Sequence, residues 1–377
     1  MLQNLHRVAA LVAACAALCA TAASAAARPD PQLANQWALQ GDGPMGAASA
    51  WSQITGGDVT VAVVDTGVDL AHRDLAPNLW TNPGEIAGNG IDDDGDGIVD
   101  DVHGADFVNG DGDPSDDNGH GTHVAGIVAA RGNNGVGVAG LAWRARIMAV
   151  KVLGAGASGD MAAVAAGVRY AVAHGARVIN LSLTGPSPGA DLGAAVDAAA
   201  AANVLVVAAA GNTHADDDAI ATYPAALDAP NLIAVTSSDK RGALAPSASF
   251  GRTTVDLAAP GEEILSTARG GGYEVRSGSS MAAAQVSGAA VLLASARPAL
   301  GWAGMRAALL GSARPTSLPV AAGRLDVAGA VRRVLGIRRG RSQVSAERRS
   351  AGRLRRPSRP PHRRHHGAAV ARAAVPG

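Results

Sequence analysis

The sequence predicts an α/β protein in which a doubly wound, mostly parallel sheet is covered by helices on both faces. Alanine-rich stretches at 160–174 and 190–202 have the composition of helices. Polar residues directly follow several apolar runs, and in such sheets ligand sites lie at the carboxyl ends of the strands. The runs themselves are rich in β-branched residues, as buried parallel strands are, and lie at 59–64, 147–153, 178–183, 204–208 and 232–235.

The composition separates the chain into a large apolar part and a basic tail. With 377 residues, 47% of them hydrophobic, the chain can bury a sizeable core. The formal net charge is zero, but twelve arginines and one acid from residue 338 onward give +11 there and leave −11 elsewhere. We expect 337–377, rich in arginine, proline and histidine, to be disordered. This tail is either a solvated extension or a segment that adheres to anionic surfaces.

The first 25 residues predict a signal peptide, because a polar head precedes an apolar stretch at 8–20 and small residues at 23–25. An uncleaved anchor and a lipoprotein attached through Cys15 are the alternatives. We therefore expect a secreted or periplasmic protein without stable membrane insertion. Cys15 and Cys19 both lie in this segment, so we expect no disulfide in the mature protein.

Four polar residues lie in motifs that together suit nucleophilic catalysis by serine. This chemistry needs a nucleophile, a base for its proton, a carboxylate that orients the base, and donors for the oxyanion. The residues are Asp65 in VAVVDTGVD, His120 in NGHGTHVAG, Asn212 in VVAAAGN and Ser280 in SGSSMAAAQ. His123 lies one helical turn after His120, so a metal clamp of two imidazoles is an alternative at this point.

In this order the motifs resemble those of the subtilisin-like serine peptidases (subtilases), over roughly residues 35–336. The resemblance implies a subtilisin-like fold and a secreted, monomeric serine endopeptidase that works through an acyl-enzyme. It makes Ser280 the nucleophile, His120 the general base and Asp65 the orienting carboxylate. Asn212 and the Ser280 backbone N–H would form the oxyanion hole. No cofactor is expected for the chemistry, and no nucleic acid as partner.

Three other functions compete with this interpretation. An inactive relative that serves as a binding module would lack part of the catalytic set, which is complete here. A calcium-dependent adhesive protein would be built around the aspartate-rich segment, which is a small part of the chain. An esterase motif would need glycine where Ala282 stands.

The resemblance also implies that an extended polypeptide pairs with strand edges of the protein. Thr184 stands at the rim of the specificity pocket, where relatives usually have glycine, and Thr222 stands near its floor. These β-branched side chains predict a narrow pocket that favours smaller apolar side chains over aromatic ones. The full set of predicted substrate-binding residues is Gly156, Gly159, Ser182, Leu183, Thr184 and Thr222.

The sequence departs from the usual subtilase pattern at the serine motif. Ser279 replaces threonine and keeps the hydroxyl, whereas Ala284 and Gln285 stand where proline and histidine are common. Because proline is absent, the exact position of the helix that carries Ser280 is expected to differ from that in relatives. Residues 26–34 are a short linker or pro-segment, too short for a folded propeptide, so we expect folding that is unaided or assisted from elsewhere.

Two calcium sites are expected. Eleven aspartates lie between residues 92 and 117, which predicts either a solvated acidic loop or a cation site. Within it, Asp92, Asp94, Asp96 and Asp100 match positions one, three, five and nine of a calcium loop, but His103 replaces the final glutamate, so an open loop is expected. By resemblance, the second site is formed by Asp74, Asn134 and the carbonyls of Val136 and Val138.

Overall fold

A computed structural model describes residues 28–337. Its strands are β1 (Gly56–Asp65), β2 (Gly104–Asp106), β3 (Arg144–Lys151), β4 (Val178–Leu181), β5 (Leu205–Ala209), β6 (Leu232–Ser238), β7 (Leu257–Pro260), β8 (Ile264–Ala268), β9 (Gly272–Arg276) and β10 (Gly323–Arg324). Eight of them form one sheet in the order β10-β7-β6-β5-β4-β1-β3-β2. All neighbours in this sheet are parallel, and β8 and β9 form a separate antiparallel pair.

Helices connect and cover the strands, so the predicted fold class is confirmed. Asp160 caps the third helix by accepting a hydrogen bond from the Ala162 N–H, which satisfies one of the free donors of the first turn. The α-helices of the described residues are α1 (Ala47–Trp51), α2 (His120–Ala129), α3 (Met161–Ala173), α4 (Leu192–Ala201), α5 (Ser279–Ala296), α6 (Trp302–Ser312) and α7 (Val327–Leu335).

Alternate residues of the strands enter two separate cores. In β1, Val61 and Val63 pack in a core shared with α1, α2, α5, α6 and α7. Ala62 and Val64 enter the opposite core, against α3 and α4. Since successive strand residues point to opposite faces, a sheet covered on both sides needs strands that are apolar throughout.

Helix α5 passes through the interior beside the sheet. Among the described residues, α5 is the one helix whose length and apolar composition would be sufficient to cross a membrane. Sixteen of its eighteen residues are buried in the protein, which is the environment of a core helix.

The register of the sheet brings three strand ends together. Val64 of β1 pairs with Leu181 of β4, and Leu181 pairs with Ala208 of β5. As a result Asp65, Ser182 and the segment that leads to Asn212 leave the sheet at the same edge.

The segment that precedes the first strand packs against the rest of the protein. The predicted linker is described from Arg28, and it packs on the protein: the Gln32 N–H donates to the Gly137 carbonyl, and Asp30 accepts from the Asn133 N–H. The compact unit ends at Gly336. The predicted signal peptide, Cys15, and the tail from residue 338 onward lie outside the described residues.

Candidate active site

His120 and Asp65 form a buried hydrogen-bonded pair. Asp65 ends β1 and is fully buried, and its Oδ1 lies 2.7 Å from Nδ1 of His120, the first residue of α2. The same oxygen accepts the Thr66 N–H at 2.8 Å. A carboxylate at Nδ1 keeps the proton on that nitrogen, so Nε2 is left as the proton acceptor.

Burial and charge act on His120 in opposite directions. Burial by itself lowers the pKa of the imidazole, and Arg276 lowers it further. The charge and hydrogen bond of Asp65 outweigh both, so the pKa of His120 lies above its ordinary value of 6.5.

The amino end of α2 is held firmly against β1. Asp116 accepts backbone N–H groups of Asn118, Gly119 and Thr122. Burial raises the pKa of Asp116, but the hydrogen bond from the Thr122 hydroxyl and these backbone bonds outweigh it and hold that pKa below its ordinary 3.8. A Cβ on Gly121 would lie 2.1 Å from a carbonyl oxygen of Gly67, so glycine permits this close approach.

Ser280 is the second residue of α5 and is 8% exposed. Its hydroxyl donates to the carbonyl of Ser182 at 3.1 Å, and the Ser182 hydroxyl donates to the Ser280 carbonyl at 2.8 Å. His120 and Ser182 line the same groove, so this reciprocal pair brings Ser280 to the end of the sheet where His120 lies.

Asn212 is tied to the same segment. Its Oδ1 accepts the Ser279 N–H at 2.8 Å, which leaves the amide Nδ2 of this exposed residue available as a donor. The Ser279 hydroxyl accepts the Gly211 N–H at 3.1 Å, so the serine that replaces threonine fixes the segment before Asn212.

Comparisons with known proteins identify the family of this chain. The profile described as Subtilase family (peptidase S8) matches residues 56–346. Thermitase of Thermoactinomyces vulgaris is 42% identical over 249 residues, which are 66% of this chain and 79% of thermitase. Subtilisin Savinase of Lederbergia lenta is 41% identical over 245 residues, 65% of this chain and 79% of its own length.

The chain belongs to the subtilase family.

This subtilase is therefore a serine-type endopeptidase, a hydrolase that acts on polypeptides. Among solved structures, a protease of Pseudoalteromonas arctica superimposes with a TM-score of 0.70 at 28% identity. The superposition covers 82% of this chain and 100% of that one.

A groove of about 790 Å³ begins at His120 and runs between two segments of the subtilase. Gly159, Ser182, Leu183 and Thr184 are among the residues that line it. Gly156 lies in the exposed loop beside the groove and is not among its lining residues.

Thr222 lies outside this groove, on the far side of the Ser182–Gly185 segment. Gly185 pairs with Tyr223 through two backbone hydrogen bonds, of 2.8 and 2.9 Å. The methyl group of Thr222 lies 3.6 Å from where a Cβ on Gly211 would stand. Thr222 therefore lies between the Gly185 segment and the strand end that carries Asn212.

His123 has a different environment from His120. It is fully buried in α2, and its Nε2 hydrogen-bonds the Glu274 carbonyl at 3.2 Å. Burial lowers its pKa to about 4, so it stays neutral near neutral pH. The two imidazoles face different partners, and this arrangement does not form a metal clamp.

Asp74, Asn134, Val136 and Val138 are brought together. The fully buried Asp74 accepts from the Asn134 amide at 2.9 Å and from the Val138 N–H at 3.1 Å, and Asn134 Oδ1 accepts the Val136 N–H. Two further residues at this site, Tyr273 and Asp30, were not predicted from the sequence. Tyr273 donates to Asp74 at 2.9 Å, and Asp30 lies close enough for the charge of Asp74 to add to burial in raising its pKa.

The acidic loop is arranged differently from the predicted pattern. Asp92 and Asp94 group with Glu85, whereas Asp94 and Asp96 group with His174. Asp100 belongs to neither group, because its carboxylate accepts the backbone N–H groups of residues 88–90. These hydrogen bonds give Asp100 a turn-stabilising role, and its role as a calcium ligand stays a prediction. Glu85, which lies shortly before the motif, and His174, which is distant in sequence, are not part of the calcium-loop pattern, so that pattern did not predict them.

Proposed function

We propose that this subtilase is a secreted endopeptidase in which Ser280 is the nucleophile, His120 the general base and Asp65 the residue that orients the base. The observation that carries the proposal is the 2.7 Å hydrogen bond between His120 and the buried Asp65. It leaves Nε2 of the imidazole as a proton acceptor at the groove that Ser182 also lines.

Acylation needs one movement of Ser280. Its hydroxyl turns from the Ser182 carbonyl towards His120, which takes the proton as oxygen attacks the substrate carbonyl. Hydrogen bonds between nucleophile and base are often unformed before substrate binds. His120 then returns the proton to the leaving amine, and Asp65 stabilises the imidazolium in between. Water repeats these steps on the acyl-enzyme.

Asn212 is proposed to stabilise the oxyanion together with the Ser280 N–H. Its Oδ1 is engaged by Ser279, which turns the amide nitrogen outward as a donor. The amino end of α5 adds a favourable field for developing negative charge.

The substrate is proposed to bind as an extended strand along Ser182–Thr184. Leu183 and Gly159 face the same groove, and an exposed strand edge offers backbone groups for pairing. Gly156 would contribute from the neighbouring loop, and Thr222 from its place between the Gly185 segment and Gly211.

Structural calcium is proposed at two places. The buried Asp74 with Asn134 and neighbouring carbonyls is an oxygen-only donor set, which suits a hard cation, and Asp30 supplies a second carboxylate there. In the acidic loop, Glu85, Asp92 and Asp94 form a carboxylate group of the same kind. Bound calcium would offset the repulsion within each group and hold the loops together.

Secretion is proposed from the signal-peptide pattern at the amino terminus. The comparisons lend no support to the alternative of a lipid anchor at Cys15.

The proposal is tested with peptides blocked at both ends. The wild-type protein is expected to cut internal bonds, identified by mass spectrometry of the products, and the Ser280→Ala variant to cut none. Cleavage of simple esters alone would favour the esterase alternative. Undiminished cleavage by Ser280→Ala would refute the proposed nucleophile.

A further inference from the structure

A chain of buried hydrogen bonds runs from the middle of α5 through β4 and back to the amino end of α5. The Ser287 hydroxyl donates to the side-chain carbonyl of Asn180 at 2.8 Å. The Asn180 amide donates to the Ser182 hydroxyl oxygen at 2.8 Å, and the Ser182 hydroxyl donates in turn to the Ser280 carbonyl at 2.8 Å. Ser287 and Asn180 are fully buried and Ser182 is 3% exposed, so water does not compete for these bonds. We call these four residues the buried clamp.

The direction of each hydrogen bond in the buried clamp is fixed by its neighbour. A serine hydroxyl has one proton to donate. Since the Ser182 oxygen accepts from the Asn180 amide, its own proton is left for the Ser280 carbonyl. The side-chain carbonyl of Asn180 is occupied by Ser287, which keeps the amide nitrogen directed at Ser182. Asn180 thus holds the Ser182 hydroxyl in the orientation that binds the backbone of Ser280.

Asn180 occupies a position where packing alone would favour an apolar side chain. In β4, Val178 packs in the core that contains α5, whereas Ile179 and Leu181 enter the opposite core. Because side chains alternate along a strand, Asn180 points to the same side as Val178. Burial of a polar side chain there costs free energy, which its hydrogen bonds offset. An apolar residue would fill this place as well, so the asparagine points to a role beyond packing.

The buried clamp holds α5 to β4 at two places on one side of the helix. Ser280 and Ser287 are seven residues apart, or about two helical turns, so they lie on the same side of α5. Ser182 binds the first of them and Asn180 the second. Two attachments resist both rotation of the helix and sliding along its axis. They therefore hold the backbone N–H of Ser280, the proposed oxyanion donor, relative to the end of the sheet.

We propose that Asn180 is a positioning residue for the nucleophile and that it acts through the Ser182 hydroxyl. This inference rests on the proposed function of Ser280. Without the Asn180 amide, the Ser182 hydroxyl is free to turn from the Ser280 carbonyl, and the amino end of α5 is held less firmly. Attack on a substrate carbonyl depends on the placement of the nucleophile and the oxyanion donors, and a misplacement of about 1 Å can lower the rate about 10²-fold.

The first test is Asn180→Leu, which keeps a similar shape and removes both hydrogen bonds of the side chain. We expect kcat per folded molecule for a blocked peptide to fall roughly 10–100-fold, with KM little changed because the groove residues are the same. The midpoint of urea unfolding should stay close to that of the wild type, since leucine buries no polar group and Ser287 can donate to a carbonyl of its own helix. An asparagine with a structural role alone would give the reverse, a lower unfolding midpoint and an unchanged kcat.

A double-mutant cycle tests the route through Ser182. If Asn180 acts through the Ser182 hydroxyl, Ser182→Ala already removes its effect, and the addition of Asn180→Leu should lower kcat no further. Losses that multiply in the double variant would overturn this route.

The matched control is Asn231→Leu. Asn231 is also a fully buried asparagine, and its amide donates to the carbonyls of Val196 and Val204. It directly precedes β6, at the edge of the sheet opposite to the one where Asp65 lies. This variant should keep the wild-type kcat per folded molecule, whatever its stability.

Ser287→Ala is the second variant, used where Asn180→Leu does not fold. It frees the Asn180 amide to turn from Ser182, so kcat should fall several-fold. A wild-type kcat for folded Asn180→Leu, or for Ser287→Ala in its place, overturns the role of Asn180 and leaves the proposed nucleophile standing. A wild-type protein that cuts no peptide overturns the proposed function, and with it the inference.

Discussion

The Ser280 hydroxyl donates to the main-chain carbonyl of Ser182, 3.1 Å away, and not to the imidazole of His120. The Ser182 hydroxyl returns a bond of 2.8 Å to the Ser280 carbonyl, so the amino end of α5 is fastened to the end of β4. The backbone of Ser280, the proposed nucleophile, is thereby fixed, while its side chain can still rotate about χ1. In the proposed mechanism, activation turns this hydroxyl from the Ser182 carbonyl towards His120.

Substitutions in the proposed triad should affect turnover far more than folding. Asp65→Asn should lower kcat by about four orders of magnitude, because the imidazole then presents the wrong tautomer to Ser280. Kinetics with a peptide substrate give kcat, and circular dichroism checks the fold. Asp69→Asn, a change to a nearby carboxylate outside the triad, is the control and should retain turnover. A folded Asp65→Asn enzyme with near wild-type kcat would contradict the assigned role.

The acid limb of activity should report the pKa of His120. Protonated His120 cannot accept the Ser280 proton, so kcat/KM should fall as the pH drops, with a midpoint above 6.5 because Asp65 raises this pKa. Asp65→Asn removes the charge that raises it, and the midpoint of the residual activity should move to lower pH. An unmoved midpoint would mean that another group controls this limb.

Much of this site is readable from the sequence because each strand end carries its own local motif. Asp65, Ser182 and Asn212 follow buried apolar runs, and a parallel sheet brings such ends to one edge. Distant pairings are not readable in this way. Asp217 lies in a run of three aspartates that looks solvated in sequence, yet its backbone pairing with Phe250 buries it behind Thr222. That burial depends on chain positions far apart, which no local pattern encodes.

The neutral, buried His123 should make the protein less stable in acid. Its folded pKa of about 4 lies below the ordinary 6.5, so between these values the unfolded chain binds a proton that the folded chain does not. The free energy of unfolding is therefore highest, as far as His123 is concerned, above pH 6.5. It falls as the pH drops towards 4, by about 3 kcal/mol in all.

Urea unfolding at several pH values and a fixed calcium concentration measures this slope. His123→Gln can still donate to the Glu274 carbonyl but does not titrate, so its free energy of unfolding should vary less with pH in this window. The slopes of the free energy of unfolding against pH are compared, so a loss of stability in the variant that is the same at every pH does not affect the result. Identical slopes for both proteins would show that His123 titrates normally.

Calcium should raise the melting temperature. A ligand that binds only the folded state adds about 2.7 kcal/mol at a hundredfold excess over Kd. Chelator should therefore lower the melting temperature by several degrees, roughly as expected for such a change in a large domain. Calcium should restore it, and sodium chloride of equal ionic strength should not. Identical melting curves of metal-free and calcium-loaded protein would rule out both sites.

The two calcium sites are separable by substitution. Asp74→Asn should remove the response of the buried site, and Asp92→Asn that of the acidic loop. Asp100→Asn is the matched loop control, because its carboxylate binds backbone N–H groups. A linear motif assumes that the loop closes on itself, whereas Glu85 from outside the motif accepts the backbone N–H groups of Asp93 and Asp100. The sequence motif could therefore not predict the contribution of Glu85.

The most direct measurement is reaction with a fluorophosphonate, which labels a serine only when a base and an oxyanion site activate it. Peptide mapping by mass spectrometry should place the label on Ser280 and leave its neighbour Ser279 unmodified. Labelling should abolish peptide hydrolysis, and His120→Ala should prevent labelling. A label on another serine with Ser280 unmodified, or full peptide hydrolysis by protein labelled completely at Ser280, would contradict the account.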